Sequence, residues 1–419
     1  MAEINAVRGM TDIQPDSSLR WSYFEEVVRE VMRTFGYQNI RTPILEKTEL
    51  FVRSLGEVTD IVEKEMYTFK DQLNNESLTL RPEGTAACVR AAIQHNMTYA
   101  GGQRLWYMGP MFRHERPQRG RYRQFHQLGV EALGFNGVES DTEHLLINKR
   151  LWDVIGLADI TLEINTLGDF ESRQKYKIEL VKFLSAHLDS IDEHSQKRLK
   201  TNPLRILDSK DPVTRETVLS GPKLMDFIGK QSMTQFDKIR KSLDELGVDY
   251  KVNEYLVRGL DYYNDLIYEW KTSSLGAQGT VSAGGRYDSL FSQIGGKSTS
   301  ACGLAVGIER VLELLKNGES GEPNTECDVY VVHEGEIAGK FGLKAAMELR
   351  EGGLSVIFNY DGGSIKSQMK RANASGSRYA VIIGDNEVEL EMLSVKPLRT
   401  RDLQEMLPLP DAIKKIKMS

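Results

Sequence analysis

Residues 112–127 read Phe-Arg-His-Glu-Arg-Pro-Gln-Arg-Gly-Arg-Tyr-Arg-Gln-Phe-His-Gln, and this stretch constrains the chain most tightly. Five arginines (Arg113, Arg116, Arg119, Arg121 and Arg123) stand around one turn signal, Pro117 to Gly120, with an apolar run on either side. Apolar runs flanking a Pro/Gly turn predict a β-hairpin. Guanidinium groups this close repel one another unless an anion answers them, and their forks match phosphate oxygens bidentately. The tip therefore reads either as a solvated basic loop or as a seat for a polyphosphate or a nucleic-acid backbone.

The frame around it is that of an ordinary globular protein. A chain of 419 residues suggests roughly two or three domains, and 40% apolar with 27% charged residues is usual for a packed fold. No apolar run approaches the roughly 20 residues of a membrane span. The start, Met1-Ala2-Glu3-Ile4, lacks the basic and apolar regions of a secretion signal, so a cytoplasmic location is expected. Cys88, Cys302 and Cys327 are far apart and form no Cys-x-x-Cys pair, which predicts free thiols and no structural zinc. A net charge of −6 argues against a broadly basic surface but leaves room for a local patch that meets RNA.

Before the hairpin, Pro15 to Ser18 signal a helix start, and Leu19, Phe24, Val27, Val28, Val31 and Phe35 recur near helical spacing up to a stop at Gly36. Asn39 to Leu45 is short and β-branched, with Pro43 marking a strand end. Thr79-Leu80-Arg81-Pro82-Glu83-Gly84-Thr85 starts as a strand, breaks at Pro82 and leads into a helix over 86–93. Glu83 and Thr85 suit either a ligand's amine or the cap of that helix.

Beyond the hairpin tip, Gln124 to Glu131 alternates apolar and polar residues as a half-buried strand does. Side chains two apart share a face, so Phe125, Gln127, Gly129 and Glu131 line one side. An aromatic, an amide, a gap and a carboxylate make either a pocket floor or a solvated face. A helix over 141–155 and a strand over 160–167 follow. Short charged helices broken by Pro203, Pro212 and Gly221-Pro222 fill 169–229. Their Lys197, Arg198, Lys200 and Arg205 suit an RNA backbone or plain solvent equally.

Leu256 to Asn264 predicts the opening of a strand that runs on to Trp270, and Ser282-Ala283-Gly284-Gly285-Arg286 reads as a glycine turn. Residues 294–299 fail as a phosphate-binding loop, because Phe291 stands where the first glycine is needed. Cys302 to Arg310 predicts a buried strand running into a helix, with Arg310 at the helix start. Residues 317–325 read as a linker. The strands expected over 329–332, 354–358 and 379–383, with helices between them, predict a compact α/β domain with a mainly parallel sheet.

Taken in order, these stretches resemble the class II aminoacyl-tRNA synthetases. The helix, strand and Pro43 resemble motif 1, the arginine hairpin motif 2, and 302–310 motif 3. The run Arg116 to Gln127, with Arg-Pro-Glu-Gly-Thr at 81–85, Arg-Gly-Leu-Asp-Tyr-Tyr at 258–263 and 282–288, is similar to the histidyl-tRNA synthetases in particular. Asp265-Leu266-Ile267 departs from the family's more usual basic and small residues there.

The resemblance implies an α+β catalytic domain over 1–320, built on a mainly antiparallel sheet with flanking helices. It also implies a helical insertion over 170–229 and an α/β anticodon-binding domain over 326–419. The implied activity is ATP-dependent ligation of L-histidine to tRNA(His) through a histidyl-adenylate, in a homodimer joined through motif 1, with Mg2+ accompanying the ATP. By the same resemblance Arg113, Arg258 and Arg310 are the catalytic cations, and Glu83, Thr85, Gln127, Glu131, Tyr262 and Tyr263 hold histidine. Arg113, Glu115, Phe125 and Arg310 hold ATP, and Arg116, Gln118, Arg119, Arg121 and Arg123 meet the tRNA acceptor end. A catalytically silent, histidine-sensing paralogue is the alternative. Such paralogues lose the signature arginine and the last domain, and here both are present.

Overall fold

The computed structural model describes residues 3–56, 59–118, 120–260, 262–276, 279–315 and 327–418. Arg119 and the linker expected over 317–325 therefore lie outside the described residues. The chain divides into two compact units, Met1–Glu322 and Pro323–Ser419.

The first unit is built on an eight-stranded sheet. Its strand order is Gln38–Asn39, Gln103–Phe112, Gln124–Leu133, Ala301–Gly307, Thr280–Arg286, Asn264–Lys271, Thr161–Thr166 and Tyr250–Val252. The two edge strands pair in parallel, and all pairings between them are antiparallel. A mainly antiparallel sheet with helices on both faces is the class II architecture expected from the motifs.

The period of two in Gln124–Leu133 decides which face carries chemistry. Leu128 and Val130 pack on one side with Phe24, Val28 and Leu151 from helices Pro15–Thr34 and Val138–Ile155. Pro15 opens the first of these at a position where its missing N–H costs nothing. Gly36, at φ 74°, lets the chain leave it. The opposite face carries Tyr107, Tyr262, Tyr263 and Tyr287 beneath helix Thr85–Gln94 and the helices that follow residue 169.

Pro203 and Pro212 do not break those helices but begin them, each at a first helical position. Asp169, Asp192 and Asp211 cap three of the helices by accepting from backbone N–H groups. A sixteen-residue helix, Lys230–Glu245, then packs Phe236, Ile239 and Leu243 into the other core.

Two local expectations fail. Residues 256–260, 262 and 263 are not strand; the ladder begins only at Asn264. The buried Asn165 amide donates instead to the carbonyls of Glu254 and Leu256 at 3.3 and 3.0 Å, holding the segment off the ladder. Conversely, Gly284 and Gly285 lie inside strand Thr280–Arg286 rather than in a turn. A Cβ on Gly284 would stand 2.3 Å from the Gly303 carbonyl and 2.6 Å from the Tyr268 hydroxyl, so glycine here serves close packing.

The second unit has a five-stranded sheet ordered Val356–Phe358, Val329–His333, Tyr379–Ile383, Leu393–Pro397 and Glu405–Leu407. The first three strands run parallel, but the last two add antiparallel pairings, so the sheet is mixed rather than mainly parallel. The short connection after helix Asp385–Leu390 explains this, because only an antiparallel neighbour is reached without a crossover.

Candidate active site

A cleft of about 260 Å³ opens on the tyrosine-bearing face of the large sheet. Glu83, Thr85, Arg113, Glu115, Phe125, Gln127, Arg258, Tyr262, Tyr263 and Arg310 all line it. Residues separated by more than two hundred positions thus meet in one place.

One end of the cleft is carboxylate-rich. Glu83 is buried and accepts from the backbone N–H of Thr85 at 2.6 Å and of Ala86 at 3.0 Å. It therefore serves the first turn of helix Thr85–Gln94, as the cap reading has it, and it also lines the cleft. Burial pushes its carboxyl above the usual range, against those two backbone donors. Gln127 lines the same cleft, and its Oε1 is buried with no hydrogen-bond partner. An acceptor left bare in such a place is matched by a ligand's N–H.

Glu131 stands deeper, with none of its surface exposed. Thr85 Oγ1 and the Tyr107 hydroxyl donate to its Oε1 at 2.8 and 2.9 Å, and the Tyr287 hydroxyl donates to Oε2. Burial drives its pKa up to about 8, outweighing the three hydroxyl donors. The gap expected at Gly129 is not open space. A Cβ on Gly129 or on Gly84 would stand 2.1 Å from the Tyr107 ring, so the two glycines make room for the tyrosine that orients Glu131.

The other end is cationic. Arg113 donates from Nε to the Pro82 carbonyl at 2.8 Å, and its guanidinium lies 5.2 Å from the Phe125 ring centroid. Arg310 donates from Nε to the Gly120 carbonyl at 3.1 Å and from Nη1 to that of Thr280. Burial, then the like charges of Arg113 and Arg121, pull the Arg310 pKa down to about 10. Positive groups that lower one another's pKa at a cleft wall form a site for several negative charges. Glu309 fixes the frame: its carboxylate accepts from the His126 N–H at 2.9 Å, tying helix Ile308–Leu315 to the strand of Phe125.

Arg258 pairs with Glu269 and sits 5.8 Å from the Tyr263 ring centroid. Burial pulls its guanidinium down, but Glu269 together with Tyr263 and Tyr262 outweighs it, so its pKa ends above the ordinary arginine value. Glu269 also accepts from Thr280 Oγ1 at 3.0 Å and pairs with Lys271 at 3.1 Å.

At the hairpin tip the charges are better answered than the arginine count suggests. Arg121 pairs with Glu115 and stands 3.9 Å from Glu65. Arg123 donates to the carbonyls of Glu115 and Arg8 at 3.2 and 3.4 Å. Among the described residues of the set, Arg116 and Gln118 are the exposed ones.

Tyr107, Tyr287 and Glu269 escaped the sequence reading. Glu269 carried a signal, a carboxylate inside the otherwise apolar run Leu266 to Trp270. Tyr107 carried none, being an aromatic residue in an apolar strand where packing alone explains it, and Tyr287, just past the end of strand Thr280–Arg286, carried no sign of its carboxylate partner.

Residues 9–311 match the family model for histidyl-tRNA synthetase, and residues 326–418 match that for an anticodon binding domain. The chain is 56% identical over 398 residues to a histidine–tRNA ligase of Nitrosomonas europaea, covering 94% of each chain. It is 54% identical over 419 residues to that of Burkholderia pseudomallei, covering 98% of this chain and 94% of the relative. The apo crystal structure of Staphylococcus aureus histidyl-tRNA synthetase superposes with a TM-score of 0.82 at 35% identity, covering 99% of this chain and all of the other.

Proposed function

The chain belongs to the histidyl-tRNA synthetase family and ligates L-histidine to tRNA(His) with ATP; from that premise we propose how the cleft divides the work. The observation that carries the proposal is the convergence of Arg113, Arg258 and Arg310 on a cleft that Glu83, Thr85 and Gln127 also line, with Glu131 buried behind Thr85.

In the first step an oxygen of the histidine carboxylate attacks the α-phosphorus of ATP, a new P–O bond forms, and pyrophosphate leaves. Negative charge approaches negative charge, and more gathers on the phosphorus oxygens at the transition state. Preorganised cations in a partly dry site lower that barrier. Arg113 and Arg258 take the α-phosphate, and Arg310 the β- and γ-phosphates. Phe125 stacks on adenine, and Glu115 helps position the nucleotide.

Glu83 and Gln127 receive the α-amino group, with Thr85 beside them. Glu131 and Tyr263 read the two imidazole nitrogens, with Tyr262 packed against Tyr263 at 4.7 Å between ring centroids. Neutral imidazole offers one donor and one acceptor, so a matched pair rejects an apolar side chain by roughly 10⁴-fold.

Mg2+ would arrive with the nucleotide. Of the cleft's carboxylates, Glu115 and Glu269 are held by arginines, Glu83 by backbone N–H groups and Glu309 by His126, so the described residues offer no preformed cation cage, and the arginines carry the charge stabilisation assigned to protein groups. In the second step a ribose hydroxyl of the tRNA attacks the activated carbonyl and AMP leaves. Arg116, Gln118 and Arg119 guide the acceptor end, with Arg121 and Arg123 holding the loop that carries them.

We further propose a cytoplasmic homodimer through the edge strand Gln38–Asn39 and the Pro43 segment, where Ile44 and Leu45 stand 42% and 38% exposed. The silent-paralogue reading is not favoured, because the relatives at 54–56% identity are ligases. ATP–pyrophosphate exchange measured with each of the twenty amino acids tests the whole reading. It should respond to histidine alone; a response to another amino acid, or none with magnesium present, would overturn it.

A further inference from the structure

The second unit presents one aromatic side chain in a way that packing does not explain. Tyr360 is 84% exposed, in the loop that leaves strand Val356–Phe358 at its carboxyl end. An isolated exposed ring needs no explanation by itself. What distinguishes Tyr360 is the loop beneath it, which is pinned from several sides by buried polar groups.

Asn359 is 2% exposed, and its side-chain oxygen accepts from Arg371 Nε and Nη2 at 3.2 and 2.9 Å and from the Tyr330 hydroxyl at 3.2 Å. Arg371 Nη2 and Asn359 Nδ2 both donate to the Gly362 carbonyl, at 2.7 and 3.2 Å. The fully buried Gln368 donates to the carbonyls of Gly363 and His333, each at 2.6 Å. Gly362 and Gly363, at φ 57° and 92°, supply the left-handed backbone that closes the turn.

The ring also has a foundation. His333 stacks on Phe358 with ring centroids 5.0 Å apart and planes 16° from parallel, and Phe358 meets Tyr360 at 5.9 Å and 59°. A rigid loop thus holds one aromatic ring in solvent, backed by two others. The three parallel strands of this mixed sheet end at this edge, and in open α/β folds ligands bind at the carboxyl ends of such strands. Helix Ile365–Ala374 starts beside the loop, with Lys366 and Lys370 exposed along it, favouring an anion such as a nucleic-acid phosphate.

We infer that Tyr360 is a stacking platform for one unpaired base of the tRNA anticodon loop, held ready by the Asn359–Arg371–Gln368 scaffold. The inference rests on the reading that this chain acts on tRNA, and it names the residue that the RNA meets. Single-stranded loops are recognised by stacking splayed bases on aromatic rings fixed beforehand.

The test uses the full chain and an isolated anticodon stem-loop of tRNA(His), with fluorescence anisotropy as readout. Tyr360→Ala should weaken binding about tenfold or more, the effect of one lost base–aromatic stack. Tyr360→Phe keeps the ring and should bind like the parent chain. Histidine-dependent ATP–pyrophosphate exchange should be unchanged in both variants. In aminoacylation, Tyr360→Ala should raise the KM for full-length tRNA(His) but not for an acceptor-stem minihelix. Equal stem-loop binding by Tyr360→Ala and the parent, failure of Tyr360→Phe to restore it, or an equal loss on the minihelix would each overturn the inference. Loss of histidine-dependent exchange in the parent chain, with stem-loop binding intact, would instead overturn the proposed function.

Discussion

Gly303 lies against the carboxylate of Glu131: a Cβ on Gly303 would stand 1.8 Å from Glu131 Oε2. The pairing of strands Ala301–Gly307 and Gln124–Leu133 puts the two residues directly opposite each other. A glycine of motif 3 thus sets the depth at which the buried carboxylate sits.

Gly303→Ala should therefore act on histidine recognition before it acts on ATP. The added methyl also meets the Val130 carbonyl at 2.9 Å, so the side chain cannot simply rotate away. Displacing Glu131 from Thr85 and Tyr107 should raise the KM for histidine about tenfold or more. The overpacked core should lose about 1–3 kcal/mol of stability. Steady-state exchange kinetics with histidine and with ATP varied separately, alongside thermal unfolding, check both outcomes.

The same carboxylate gives stability a pH dependence. Its pKa rises from an ordinary 4.5 to about 8 in the folded chain, burial being the main cause. Between those values the native state keeps a proton that the unfolded chain has released. Native excess of bound protons means that stability falls as pH rises through this window. The contribution is fully present below about 4.5 and lost as pH passes about 8. Urea denaturation of the ligand-free chain across roughly pH 6–8 should show the decline. Glu131→Gln, which cannot ionise, should show a flatter dependence over the same range.

Sequence and structure agree most where spacing alone carried the information. The alternation from Phe125 to Glu131 predicts the strand face that brings Phe125 and Gln127 to the cleft, and the break at Pro82 predicts the strand-to-helix step that presents Glu83. Long-range charge matching was not legible. Arg121 finds Glu65 some fifty positions away, so the apparent excess of positive charge at the tip is partly settled inside the protein. Glycine was ambiguous for a physical reason, since a turn and a tight strand contact both demand a missing side chain. At Gly284 the second demand decides. Tyr107 and Tyr287 resemble core residues because they are core residues whose hydroxyls reach Glu131.

Arg258→His should slow adenylate formation far more than it weakens binding of histidine or ATP. The proposed contact strengthens as charge gathers on the α-phosphate, so its loss falls on the transition state. One such donor typically contributes about 3–4 kcal/mol, or roughly 10²–10³ in rate. Transfer from preformed histidyl-adenylate to tRNA should suffer less, because no pyrophosphate leaves in that step. Single-turnover kinetics of both steps decide the matter. Near-normal activation with a large rise in the KM for histidine would make Arg258 a binding residue.

Glu269 should prove to be a positioning residue for Arg258. Its carboxylate holds Arg258 and is itself held by Thr280 and by Lys271, which pairs in turn with Glu163 at 2.9 Å; Glu163 accepts from Asn253 at 2.7 Å. The strand pairing that sets Glu163 opposite Glu269 keeps this chain of alternating charges in line. Glu269→Gln preserves size and leaves the Thr280 hydroxyl an acceptor, but removes the charge that fixes the guanidinium. Activation should slow about tenfold, equivalent to roughly 1.4 kcal/mol, with the KM for histidine little changed. Lys271→Met supplies the contrast. It removes a neighbour of Glu269 without uncoupling Arg258, so unfolding should come at lower temperature while single-turnover activation stays near normal. Equal losses of activation in the two variants would mean that the ladder supports the sheet rather than the arginine.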